Sequence, residues 1–215
     1  VRFLVTAGPT REPIDPVRYL SNRSSGKMGY AIAEAAIGAG HDVVLISGPV
    51  NLEPPPGLKL VSVSTSEEMF GAVAANIPNC DVFVMSAAVA DFKPANISKQ
   101  KIKKRDESLS LDLTPSRDIL ASLSKDNRHF VVAGFAAETE NIEANALKKL
   151  REKRCDVIVA NDARIAMDSD ENEVTIFFRD GEKKTILRAP KKIIARELVK
   201  IFENVREKGL TKKIT

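Results

Sequence analysis

Apolar runs of strand length alternate along this chain with stretches of helical character, and that alternation limits the folds open to it more than any other feature. Residues 3–7 form a short apolar run ending at Gly8-Pro9, residues 31–39 are rich in small residues and closed by Gly40, and residues 43–47 are apolar again. The opening therefore reads as strand, helix, strand. Residues 81–90, 130–134 and 156–160 repeat the buried-strand pattern, with helical character at 67–77 and 142–153 between them. Strands without polar alternation have both faces covered, which predicts a mainly parallel sheet between two layers of helices.

Two segments depart from this alternation. Residues 108–113 alternate polar with apolar, as a half-exposed edge strand should, and residues 174–178 and 185–187 flank Asp180-Gly181, a dipeptide suited to a tight hairpin turn. Pro190 then opens a last helix in which Ile194, Leu198, Ile201, Phe202 and Val205 form one core-facing stripe, while Lys191, Lys192, Lys200 and Arg206 stay polar. The predicted class is α/β: a Rossmann-like, doubly wound, mainly parallel sheet with an added edge strand and a β-hairpin. A chain of 215 residues, 43% hydrophobic, supports one core, so residues 1–207 read as a single domain and residues 208–215 as a flexible basic tail.

Composition removes several classes. No apolar run reaches the roughly 18 residues a membrane-spanning helix needs, and the 11 Gly and 11 Pro show no period, so membrane, collagenous and linker readings fall away. Cys80 and Cys155 are too few for a stapled secreted scaffold, and the first residues lack the layout of a secretory signal; a reducing, cytoplasmic setting is expected. Each cysteine abuts an Asp at a strand start, which suits packing better than nucleophilic work, and His41 and His129 stand apart from any spacing that would hold zinc. Val1 is not an initiator Met, so the chain reads as processed or excised from something longer. The excess of 33 basic over 29 acidic residues is only +4 and does not call for nucleic acid. The basic residues cluster at 99–105 and 148–154, which points to local anion sites.

Three places could hold such anions. The connection from Gly8 to Gly29 is far longer than a usual strand-to-helix link. Its end offers Ser24 and Ser25 as helix caps, Gly26 and Gly29 for close backbone approach, and the unpaired N–H donors of a helix start. The second place is Ser86-Ala-Ala-Val-Ala-Asp91, at the carboxyl end of a strand, where parallel sheets bind their ligands; Asp91 could hold a metal or a ribose. The third is Lys101-Ile-Lys-Lys104, in an aperiodic polar stretch, from which one lysine could neutralise charge building up at phosphorus. Walker A is excluded because Ser21 and Met28 stand where it needs Gly and Ser or Thr. A dinucleotide site lacks its ribose acid, since Ser47-Gly48-Pro49 follows the second strand, and no Tyr-x-x-x-Lys pair is present.

Taken together, Thr6-Ala-Gly-Pro-Thr-Arg-Glu-Pro-Ile-Asp-Pro-Val-Arg18, Ser21-Asn-Arg-Ser-Ser-Gly-Lys-Met-Gly29, Ala87-Ala-Val-Ala-Asp91, Lys101-Ile-Lys-Lys104, Gly134-Phe-Ala-Ala-Glu-Thr139 and Ala160-Asn-Asp162 resemble bacterial phosphopantothenoylcysteine synthetases, in the family's order and over essentially the whole chain. The resemblance implies that the chain joins the carboxylate of 4'-phosphopantothenate to the amine of L-cysteine, with CTP as co-substrate and Mg²⁺, through an acyl-cytidylate on the route to coenzyme A. It assigns catalysis to Asn22 and Lys101. Arg18, Asn22, Ser24, Ser25, Gly26, Ala87 and Ala88 are implied to bind the acid substrate. The nucleotide falls to Ser86, Ala87, Asp91, Lys101, Asp118, Ile119, Phe135, Lys149 and Lys153. Ser116-Arg117 stands where many relatives carry Asn-Pro before the Asp-Ile pair. A homodimer is implied, built on residues 108–113 or on the 174–187 hairpin, as is a phosphopantothenoylcysteine decarboxylase fused or associated. Two other readings, a non-catalytic CTP-sensing module and a nicotinamide oxidoreductase, stand beside it.

Overall fold

The computed structural model describes residues 1–104, 108–123, 128–166 and 169–211. Its strands are β1 (Arg2–Ala7), β2 (Arg11–Pro13), β3 (Tyr19–Ser21), β4 (Asp42–Ser47), β5 (Lys59–Ser62), β6 (Val82–Met85), β7 (Phe92–Pro94), β8 (Leu113–Pro115), β9 (Val131–Glu138), β10 (Val157–Asp162), β11 (Glu171–Phe178) and β12 (Lys183–Pro190). The helices are α1 (Lys27–Gly38), α2 (Ser66–Asn76), α3 (Ile119–Ser122), α4 (Ile142–Glu152), α5 (Ala163–Ala166) and α6 (Lys191–Thr211).

Eight strands form the main sheet in the order β12-β11-β10-β9-β6-β1-β4-β5, parallel from β10 to β5 and antiparallel across β10-β11-β12. The doubly wound α/β class and the 174–187 hairpin are as expected. One face packs Phe3, Val5 and Val84 against α1 and α6, including Ile32, Ile194 and Phe202. The other packs Leu4, Phe83 and Ile158 against α2, α3 and α4, including Met69, Leu120 and Leu150. Burying a side chain of this size contributes about 1.5–3 kcal/mol, whereas an exposed ion pair such as Lys192–Glu34 contributes below about 1 kcal/mol, so the two apolar layers hold the fold.

The direction of chain progression reverses at the junction of β1 and β6: β4 and β5 lie on one side, β6, β9 and β10 on the other. Such a switch point opens a crevice at the carboxyl ends of the strands. Here it brings Gly8 beside residues 86–88, with the Ala88 N–H donating to Gly8 O at 2.9 Å and a bridge between Pro9 and Ala88.

Several expectations are corrected. Residues 108–112 form no strand; Leu113–Pro115 pairs with Phe92–Pro94 in a ribbon separate from the main sheet. The alternation was real, but its apolar members Leu109, Leu111 and Leu113 are exposed, so no core draws that segment into the sheet. The expected 81–90 strand stops at Met85, and 86–91 becomes the strand-end loop. The long 8–29 connection holds a hairpin of its own, β2 with β3. Lys191 is buried, its Nζ donating to Ser169 O at 2.6 Å. The last helix begins at Lys191, after Pro190 ends β12, and runs past residue 207 to Thr211; Arg105 of the basic cluster and residues 212–215 of the tail lie outside the described residues.

Candidate active site

The floor of the crevice is held by two buried hydroxyls. Thr6 Oγ1 accepts the Ala87 N–H at 3.2 Å, and Thr10 Oγ1 accepts the Ala90 N–H at 3.0 Å. Both threonines are fully buried, so these bonds are shielded from water and fix the 86–91 loop over the end of β1.

Facing this loop is the start of α1. Neither Ser24 nor Ser25 caps it, contrary to expectation: the cap residue is Gly26, at φ 76° in the left-handed region that favours glycine, and Ser24 Oγ accepts only the Gly26 N–H, at 3.4 Å. The first turn holds no acidic side chain. Its N–H groups and the positive end of the helix dipole are left to an anion. Gly29 brings the helix tight onto β1; a Cβ there would sit 2.6 Å from Ala7 Cβ.

Two adjoining bays result. The first, about 300 Å³, lies between Ser24, Ser25 and Gly26 on one side and Ser86, Ala87 and Ala88 on the other. Asn161, Asn172, Lys27 and Lys191 also line it; none of these stands out in the sequence as a ligand contact, and Asn172 and Lys191 reach it only because the hairpin folds back along the sheet. Lys27 pairs with Asp170 at 2.6 Å, which holds the Asp170 carboxyl below its usual pKa. The second bay, about 360 Å³, is lined by Ser116, Asp118, Ile119 and Lys153. Ala87, Val89, Asp91, Phe135 and Lys149 form the wall common to both.

Charge is organised around that wall. Lys149 is half-buried and donates to Phe135 O at 2.7 Å. Desolvation pulls its pKa below the ordinary lysine value, while Cys155, Glu138, Asp118 and Asp91 work the other way. Asp118 Oδ1 accepts the Ala121 N–H at 2.8 Å, and Oδ2 meets Lys153 Nζ at 2.5 Å. Burial works to raise the Asp118 pKa, but that N–H and the ammonium outweigh it and keep the carboxylate below its usual range. Lys153, hydrogen-bonded to Asp118, is raised above the usual lysine value. Arg117 also lines the bay, its guanidinium lying 4.4 Å over the Phe70 ring and 3.3 Å from Glu67.

Arg18, Asn22 and Lys101 line neither bay. Asn22 stands at the lip of the first, where its amide donates to Ala88 O at 3.1 Å and Val89 O at 3.2 Å. Arg18 pairs with Asp15 at 3.1 Å and donates to Ile102 O, and Lys101 is exposed beside it. Cys80 and Cys155 are buried, their thiols pushed up by desolvation to about 12 and about 11, which leaves them unreactive near neutral pH. His41 stacks on Phe3 at 5.0 Å and meets Glu203 at 2.7 Å, a packing role remote from the crevice. Among the described residues no group of three His, Cys, Asp or Glu side chains could by itself hold a metal ion, and no helix is long and apolar enough to cross a membrane.

A switch-point crevice with an uncapped helix start in its first bay and Lys149 and Lys153 in its second defines a doubly wound α/β protein with two adjoining bays at the carboxyl ends of its strands. Residues 1–205 match the model of the family described as DNA/pantothenate metabolism flavoprotein C-terminal domain, and the chain belongs to that family. It is 45% identical over 210 residues to the coenzyme A biosynthesis bifunctional protein CoaBC of Vibrio vulnificus, covering 94% of this chain and 52% of that protein. With the protein of the same name from Escherichia coli it shares 46% identity over 191 residues, 85% of this chain and 47% of the other. The chain thus spans about half the length of the curated relatives it matches. Its fold superposes with a TM-score of 0.84 on the crystal structure of the C-terminal domain of a CoaBC protein, 43% identical and covering 96% of each chain.

Proposed function

We propose that this chain ligates 4'-phosphopantothenate to L-cysteine at the expense of CTP, releasing pyrophosphate and CMP, as a cytoplasmic step of coenzyme A biosynthesis, with the decarboxylase implied by the resemblance fused or associated. The observation that carries the reading is the common wall of the two bays: a carboxylate in the first and an α-phosphate in the second would meet across Ala87 and Asp91. The name of the CoaBC relatives as coenzyme A biosynthesis proteins supports the same class of chemistry.

A carboxylate is a poor electrophile, so it first attacks the α-phosphate and expels pyrophosphate; the cysteine amine then attacks the acyl carbon and CMP leaves with the former acid oxygen. In this reading the α1 start, with Ser24, Ser25 and Gly26, seats the phosphate of phosphopantothenate, and Lys149 and Lys153 draw the nucleotide phosphates into the second bay. Asn22 holds two donors at the lip, one of which an acyl oxygen takes over as it gains charge. Lys101 supplies a cation to charge developing at the α-phosphate. The sparse carboxylates suit Mg²⁺, which keeps most of its shell as water and substrate phosphate and needs one or two protein oxygens; Asp91, on the common wall, would hold it. Bound there, the ion would neutralise triphosphate charge.

The homodimer belongs to the same reading, and the exposure of Val17 and Tyr19 on the β2-β3 hairpin and of Phe92, Leu109, Leu111 and Leu113 in and beside the β7-β8 ribbon supports a contact on the 108–113 side. The 174–187 hairpin carries one comparable residue, Leu187.

Incubation with CTP, Mg²⁺, phosphopantothenate and cysteine tests the activity through pyrophosphate release. Release that requires phosphopantothenate is expected. CTP binding without turnover would turn the reading toward a sensor, and NADH binding toward an oxidoreductase.

A further inference from the structure

We propose that Asp15 is a positioning residue for Lys101: its buried carboxylate, together with Arg18, holds the Ile102 backbone at both its N–H and its C=O and so fixes the lysine that immediately precedes it. The inference rests on the reading of Lys101 as the lysine that acts at the α-phosphate.

The stretch that carries Lys101 has no secondary structure between Ser98 and Lys104, so nothing in its own backbone pattern holds it in place. The Ser98 N–H donates to Ile14 O at 3.0 Å, which ties the segment to the β2-β3 turn. Four residues on, the Ile102 N–H donates to Asp15 Oδ2 at 3.1 Å, while the Arg18 guanidinium donates to Ile102 O. Arg18 Nε also meets Asp15 Oδ2 at 3.1 Å, so the two side chains grip the N–H and the C=O of Ile102 and each other. The other carboxylate oxygen is committed to the turn itself, Asp15 Oδ1 accepting the Val17 and Arg18 N–H groups at 2.8 and 2.9 Å. Asp15 is 3% exposed, whereas Lys101 and Arg18 are exposed; a buried, fully bonded carboxylate is the fixed point to which a solvent-side loop is attached. Burial works to raise the Asp15 pKa, but the three backbone donors and Arg18 keep it below the ordinary value, so it is charged wherever the enzyme works. Arg18 on this geometry contributes to the site through the loop.

Asp15→Asn separates the two halves of the arrangement. Its Oδ1 can still accept Val17 and Arg18 and keep the turn, but its amide nitrogen presents hydrogens to the Ile102 N–H and to Arg18 Nε, which breaks the clamp. We expect kcat for pyrophosphate release to fall by about tenfold or more, with KM for CTP and for phosphopantothenate within about threefold. In a Lys101→Ala background, assayed at enzyme levels that reveal its residual rate, the same substitution should add no further loss. Equal losses in both backgrounds, or an Asp15→Asn enzyme of normal kcat beside a crippled Lys101→Ala, would overturn the clamp. Normal turnover in Lys101→Ala alone would remove the underlying reading instead, and the proposal with it. Should Asp15→Asn not fold, amide exchange in the wild-type protein decides: Ile102 should exchange at least about tenfold more slowly than Lys103 after correction for intrinsic rates, and equal rates would refute the proposal.

Discussion

The floor of the crevice and the flank beside it are built on opposite plans. The floor, comprising Gly8, residues 26–29 and residues 86–91, rests on parallel strands covered on both faces and is tied down by the buried Thr6 and Thr10 hydroxyls. The flank, residues 11–21 and 92–115, has two ribbons of three-residue strands, exposes Val17, Tyr19, Phe92 and Leu113, and relies on two buried carboxylates: Glu12 ties it to α2 by accepting the Ser66 N–H at 2.8 Å, and Asp15 joins its two halves by accepting the Ile102 N–H. In the proposed reading the ligand seats occupy the floor, while the groups implied in chemistry, Asn22 and Lys101, sit on or beside the flank. Binding and turnover should therefore be separable by mutation.

The strongest test of that separation is Lys101→Ala, expected to lower pyrophosphate release by about a hundredfold or more while CTP binding stays within a few-fold, as for a group whose effect belongs to the transition state. Equilibrium dialysis with CTP beside the turnover assay would reveal a joint loss, which would break the comparison. Asn22→Asp, on the same side, should still release pyrophosphate but stall the attack of cysteine, visible as an accumulating acyl-cytidylate. On the floor the effect should be on folding: Gly29→Ala forces a methyl against Ala7 and Thr6 O and should cost about 2 kcal/mol in urea unfolding, lowering stability before any rate. Lys149→Met should weaken CTP by about tenfold. Because desolvation lowers the Lys149 pKa, its charge disappears as pH rises through a value below the 10.5 of an ordinary lysine, so wild-type CTP affinity should decline on the alkaline side earlier than free lysine would allow. The smallest effect is expected at Cys80 and Cys155, whose thiols, at about 12 and 11, should resist alkylation in the native protein at pH 8 and react only after unfolding.

The same contrast explains what could be read from the letters. The floor was legible because its strands are continuous apolar runs and its loops carry Gly26, Gly29 and the small residues 87–90 in short stretches of sequence. The flank was not. Arg11–Pro13 and Tyr19–Ser21 are too short and too mixed to show a period, and Glu12 and Asp15 reveal their role only through partners 54 and 87 positions away. Residues 108–113 misled because strand alternation states that one face differs from the other, not which sheet it joins. Periodicity puts Lys191 on the polar face of its helix, yet it is buried, with its Nζ on Ser169 O and its N–H on Asp170 O just ahead of β11. Asn161 stood in a quoted motif without a role, and Asn172 carried no signal at all; their place in the first bay is set by the sheet order.

In the proposed reaction, with acid and nucleotide meeting across the wall common to the two bays, an oxygen of the acid substrate becomes bonded to phosphorus. Phosphopantothenate labelled with ¹⁸O in its carboxylate, turned over with CTP, Mg²⁺ and cysteine, should deliver one labelled oxygen to each CMP recovered, read by mass spectrometry. CMP formed without label would contradict the direct meeting of carboxylate and α-phosphate on which the account stands.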